Sequence, residues 1–118
     1  MSINFGVTVY AKAMDLQLQR HSAIASNIAN ADTPEFRPSQ VSFESELQKA
    51  AASKNSDAAL GKVFGKVEIA DDSVPRADGN SVDMDKQLAA LSENSLVYSA
   101  TATFIKSNFA SLKLVITG

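Results

Sequence analysis

The chain has 118 residues, enough for one domain, with 45% hydrophobic residues and a net charge of −2 from eleven basic and thirteen acidic side chains. Charges of both signs are scattered along it, so it shows neither a phosphate-binding face for nucleic acid nor an acidic tail. Cysteine is absent, which removes disulfides, thiolate metal ligands and nucleophilic thiols together, and no apolar run approaches the roughly 20 residues that span a bilayer.

The opening residues Met1-Ser2-Ile3-Asn4-Phe5-Gly6 lack the basic and apolar regions of a cleavable secretory signal, so a destination outside the cytoplasm would need another export route. Residues 5–30 are expected to form an N-terminal helix. Val7, Ala11, Met14, Leu18, His21, Ala25 and Ile28 follow one another at spacings of four and three, the pattern of a coiled-coil seam, with Lys12, Asp15, Gln19 and Arg20 opposite. His21 is the single histidine, and neither Gln17 nor Ala25 beside it along the helix offers an acid or base. On a seam such a residue specifies register or reaches solvent.

Residues 31–80 are expected to hold a turn, a short helix and a flexible middle. Asn30-Ala31-Asp32-Thr33-Pro34 ends the first helix, because proline disfavours α geometry at Thr33 while Asn and Asp close turns through their own side chains. Residues 41–52 read as a short helix capped by Ser42, with Phe43 and Leu47 on one face. After Ser53 the composition changes to glycine, proline and acidic residues, and only the alternation of Val63, Gly65, Val67 and Ile69 suggests a strand.

Residues 81–117 carry the longest pattern. Met84, Leu88, Leu91, Ser95, Tyr98, Ala102, Ile105, Phe109, Leu112 and Ile116 keep the spacing of four and three without a slip. Asp78-Gly79-Asn80-Ser81 forms a turn with cap residues before it, and Asp83 and Asp85 put negative charge in the first turn. A second stripe of Val97, Ala100, Phe104, Ser107, Ser111 and Leu114 leaves more apolar circumference than one partner can bury. The fold class expected is therefore mainly α: a single unit over residues 1–118 whose long terminal helices pair as a coiled coil around a loop-rich middle with room for a short helix and a short β element.

Chemistry is hard to find. The acidic stretch Asp78 to Asp85 has its glycine in the wrong place for a calcium loop and no closing glutamate, so it reads as helix capping. The carboxylate pairs Asp71-Asp72 and Asp83 with Asp85 stand in a solvated segment, and no phosphate loop, metal-binding His pair or nucleophile elbow occurs. The expectation is a protein without catalytic, cofactor-binding or metal-binding residues.

The run Ala25-Ser26-Asn27-Ile28-Ala29-Asn30-Ala31-Asp32-Thr33-Pro34-Glu35-Phe36-Arg37 closely resembles the Asn-x-x-Asn-x-x-Thr-Pro-Gly-Tyr signature near the N-terminus of bacterial flagellar rod and hook proteins. Phe43 with Leu47, and Asp78-Gly79-Asn80-Ser81-Val82-Asp83-Met84-Asp85-Lys86 followed by Glu93-Asn94-Ser95-Leu96-Val97-Tyr98, are similar to the proximal-rod member of that family. The likeness covers both helices and their flanks and leaves the middle, about residues 50–77, unmatched. Glu35 and Phe36 stand where the family favours Gly and Tyr, and a side chain at a positive-φ turn costs on the order of 1 kcal/mol.

The resemblance implies a structural subunit of the basal-body proximal rod, packed by its terminal helices into the axial drive shaft. It also implies an assembly motif at Asn27, Asn30, Asp32, Thr33, Pro34 and Phe36. The implied partners are copies of itself, other rod proteins, the rod–ring adaptor protein and the membrane-ring protein. The implied location is the periplasmic rod, reached by flagellar type III export without a cleaved signal. The alternatives are another rod protein, or a soluble coiled-coil adaptor or export chaperone.

Overall fold

The computed structural model describes residues 2–70 and 74–117; the side chains of residues 2–6, 112 and 115–117 fall outside that description. The pair Asp71-Asp72 therefore lies outside the described residues, as do the side chains of the seam residues Leu112 and Ile116. Two long helices, α1 (Ser2–Ala29) and α4 (Met84–Thr117), run side by side in opposite directions and give the molecule its 63 Å long axis. A helix of 34 residues accounts for about 50 Å of that length at 1.5 Å per residue. The terminal helices pair with each other, as the two seams lead one to expect.

Between them the chain builds β1 (Ser39–Ser42), α2 (Glu44–Ala51), α3 (Ser56–Gly61) and β2 (Lys66–Ile69). β1 and β2 pair antiparallel, with Ser39 opposite Ile69 and Val41 opposite Val67. This insert packs on α1 beside α4, so that β1 and α4 line one cleft with Arg20 and Ile24 of α1. Leu16 of α1 joins Val41, Phe43, Ala50, Leu60 and Val63 in the main core, with Val9, Ala23, Leu47 and Ala59 against it.

Polar side chains of α1 hold the insert in place. Arg20 donates from Nε to the Val41 carbonyl at 3.0 Å, pairs with Glu44, and lies over the Phe43 ring at 4.3 Å. Gln19 accepts from the Gly65 amide and donates to its carbonyl, both at 3.3 Å. Gly65 is needed there because a Cβ would sit 2.6 Å from both Gln19 Oε1 and Val41 Cγ1.

Three local expectations change. Ser42 does not cap a helix; it lies in β1 opposite Lys66, so the short helix starts at Glu44 after an uncapped Phe43. Cross-strand pairing and the hold of Arg20 on Val41 outcompete the local capping preference. The strand begins at Lys66, because Val63 turns into the core and the backbone of Gly65 is taken by Gln19. A helix appears over Ser56–Gly61, anchored by Leu60 in the core.

Candidate assembly site

Near the end of α1 three polar side chains of the turn, Asn27, Asn30 and Thr33, have defined partners. Asn27 is 1% exposed; its amide donates to the Ser39 carbonyl at 2.8 Å and to Gln87 Oε1 at 2.9 Å, and its oxygen accepts from the Ser39 amide at 2.9 Å. One side chain therefore joins α1, β1 and α4. Asn30 folds back to donate to the Ser26 carbonyl at 2.8 Å, which also accepts from the Asn30 main-chain amide at 3.0 Å, and its side-chain oxygen accepts from Thr33 Oγ1 at 3.0 Å. Asp32 and Pro34 are exposed and Phe36 is half-buried.

The entry to α4 lies against this turn. Asn80 is 0% exposed and donates to the carbonyls of Asn30 at 2.9 Å and Thr33 at 2.7 Å, while its oxygen accepts from the Val82 amide at 2.8 Å. Main chain reinforces the contact: the Glu35 amide donates to the Asp78 carbonyl at 2.9 Å, and the Ser81 amide to the Phe36 carbonyl at 3.0 Å. Arg76 bridges the same two segments by donating to the carbonyls of Ala31 and Val82. Asp83, rather than an earlier residue, caps α4, accepting from the amides of Asp85 at 3.0 Å and Lys86 at 3.3 Å. The turn after the first helix and the Asp-Gly-Asn turn before the last are thus two halves of one clasp.

Two backbone positions in the clasp are left-handed, Glu35 at φ 63° and Gly79 at φ 81°. They touch, since a Cβ on Gly79 would stand 3.0 Å from Glu35 Cγ. Glutamate therefore keeps the conformation for which the family favours glycine, at a cost on the order of 1 kcal/mol. The Glu35–Asp78 main-chain bond helps offset it.

The structure separates the seams from the surface where the helices meet. What α4 turns toward α1 includes Gln87, Asn94 and Thr101, seven residues apart. The Asn94 amide donates to the Gln17 carbonyl at 2.9 Å, and Gln17 Nε2 donates to Thr101 Oγ1 at 3.2 Å. Ala13, Leu16 and Ile24 are buried on α1 near this polar ladder, and Tyr10 stacks on Phe104 with ring centroids 5.4 Å apart.

The seam residues border the ladder along one flank. Val7, Met14, Ile28, Leu91, Tyr98, Ala102 and Ile105 are half-buried, whereas Leu18, Met84, Leu88 and Phe109 are exposed, Leu18 and Phe109 at 50% and 54%. His21 is exposed on the same flank. Gln17, Gln87, Asn94 and Thr101 carry no apolar signal that marks them as a packing face, although the seven-residue spacing of the last three is visible in the sequence. Arg76 carries no sequence signal. Asn80 reads as a cap, and its longer-range bonds require the fold.

The family model described as flagella basal body rod protein matches residues 9–37, which contain the first half of the clasp. The flagellar basal body rod protein FlgB of Borrelia hermsii is 32% identical over an alignment spanning 87% of this chain and 89% of that protein. The chain belongs to the FlgB family of flagellar basal body rod proteins. FlgB of Escherichia coli strain K12 is 33% identical over 74% of this chain and 75% of its own length. FlgB of Bacillus subtilis strain 168 is 30% identical over 84% and 83%. These alignments span more of the chain than the matched N-terminal segment, so the likeness to FlgB extends beyond the first helix and turn. Among the described residues no helix is long and apolar enough to cross a membrane.

Proposed function

We propose that this chain is a structural subunit of the proximal rod, and that its terminal helices pack non-covalently into the axial shaft that carries torque from the membrane ring. The observation that carries this reading is the clasp. Asn80, fully buried, joins the two segments that resemble the rod signature and thereby fixes how α1 and α4 present their flanks. A hairpin that hides amides and hydroxyls while leaving leucine and phenylalanine outside is poorly suited to life as an isolated monomer and well suited to being surrounded.

Residues 1–118 act as one rod unit in this proposal, with Asn27, Asn30, Asp32, Thr33, Pro34 and Phe36 as its assembly motif. Val7, Met14, Leu18, Ile28, Met84, Leu88, Leu91, Tyr98, Ala102, Ile105, Phe109, Leu112 and Ile116 form the packing seam. Its partners are copies of itself, other rod proteins, the rod–ring adaptor and the membrane-ring protein; the role is mechanical rather than catalytic. The subunit reaches the periplasmic rod through the flagellar type III apparatus.

The test compares secreted protein with protein retained in purified basal bodies for the double substitution Asn30→Ala, Thr33→Ala. Normal secretion with reduced retention is expected. Retention in proportion to secretion would reduce the turn to a helix exit.

A further inference from the structure

Asp78-Gly79, inside the clasp, is the one place in the chain where a glycine follows an aspartate or asparagine. Glycine has no side chain to shield its nitrogen, so in an open chain that nitrogen reaches the neighbouring carboxyl carbon and the pair rearranges to an isoaspartyl linkage. The closed clasp holds all three reacting groups elsewhere. The Gly79 amide donates to the Arg76 carbonyl at 2.9 Å, Asp78 Oδ1 accepts from the Asn80 amide at 3.0 Å, and the Asp78 carbonyl accepts from the Glu35 amide at 2.9 Å. Carrying the Gly79 nitrogen to Asp78 Cγ turns the planar peptide between the two residues, which breaks the first and third of these bonds together. The Asp78 side chain is 42% exposed, so its hydrogen bonds rather than burial keep it from reacting.

We propose that Asp78-Gly79 is a spontaneous modification site gated by the clasp, forming isoaspartate while the clasp is open and protected while it is closed. The Gly79 nitrogen bonds to Asp78 Cγ, and its proton leaves with a carboxyl oxygen as water to give a five-membered succinimide. Water then adds at the former main-chain carbonyl carbon and breaks its bond to nitrogen, so the chain now runs through Cγ. One water is lost and one is taken up, and no other reactant is needed. The product carries one extra main-chain atom between Arg76 and Asn80, whose amide and carbonyl are joined at 2.8 Å. That atom shifts Asn80 away from the Asn30 and Thr33 carbonyls that its side chain binds, and the carbonyl that took the Glu35 amide becomes a carboxylate off the main chain. A chain so altered does not close the same clasp, so a subunit left open too long loses its hold between α1 and α4 permanently. The inference goes beyond the rod reading and does not depend on it.

The test incubates the full-length chain in mildly acidic buffer with and without guanidinium chloride, then maps peptides by a fragmentation that tells isoaspartate from aspartate. Isoaspartate at position 78 is expected to accumulate at least about tenfold more slowly in the folded chain, a factor equivalent to about 1.4 kcal/mol of clasp stability. Equal rates in the two conditions would overturn the gating. Glu35→Gly, which keeps the clasp and relieves its left-handed residue, should slow the folded-state reaction severalfold further; an unchanged rate in a variant whose unfolding midpoint has risen would overturn it as well. Asp78→Glu, whose longer side chain does not form the five-membered ring, should leave position 78 unrearranged in denaturant, and rearrangement there at the rate of the unaltered chain would overturn the assigned chemistry. Finally, chain isomerised in denaturant and returned to buffer should unfold at lower urea than fresh chain treated in the same way. An identical midpoint would show that the altered chain still closes its clasp.

Discussion

Glu35 holds a left-handed backbone where most residues do not, and it does so inside a contact that depends on that shape. Glu35→Gly should therefore raise stability by about 1 kcal/mol, read as an upward shift of the thermal or urea midpoint. An unchanged or lower midpoint would mean that packing of the Glu35 side chain on Gly79 outweighs the backbone strain. Asn80 makes the opposite case. Asn80→Ala leaves the Asn30 and Thr33 carbonyls and the Val82 amide without their partner, an expected loss of about 3 kcal/mol from groups each worth 1–3 when stranded in the interior. Urea unfolding measures it, and a loss below 1 kcal/mol would show that water replaces the side chain there.

At the scale of elements, the spacing of apolar residues located both long helices and called for them to pair, because four-and-three periodicity follows from helix geometry and needs no tertiary information; their antiparallel run is read from the fold, where Gln17 meets Thr101 and Asn27 meets Gln87. It did not locate the contacting face. The ladder of Gln17, Asn94 and Thr101 is satisfied only when the two helices meet, so its worth is invisible from either helix alone. The same reason hid the path of residues 41–42, whose strand partner lies more than twenty residues away.

The ladder also makes a quantitative expectation. Gln17 Oε1 is buried with no hydrogen-bond partner among the described residues, so the Gln17 side chain is held by its bond from Nε2 to Thr101 Oγ1. Thr101→Val should cost about 1–2 kcal/mol, while adding Gln17→Met in the same chain should recover most of that loss, since removing both partners avoids a stranded amide. A double-mutant cycle in urea decides it. Strict additivity would mean that the two side chains do not interact.

As a whole the molecule is a rod-shaped hairpin with the insert on one side and apolar surface on others. Two charge insertions separate folding from assembly. Leu96→Asp, on the fully outer face, should leave the monomer's melting midpoint unchanged yet abolish swimming. Ile105→Asp, half-buried beside the pairing face, should lower the midpoint as well, by several degrees, because a carboxylate there loses hydration without gaining a partner. Circular dichroism and motility assays on both variants check the pair; normal swimming by Leu96→Asp would mean that its face meets solvent in the rod. The most direct measurement is a side-chain-resolution map of the intact basal body. The account predicts that residues 30–38 and 76–82 of the same copy remain clasped through Asn80 in every subunit, with Leu18 and Leu96 covered by neighbouring chains. Clasps formed between different copies, or both leucines facing water, would contradict it.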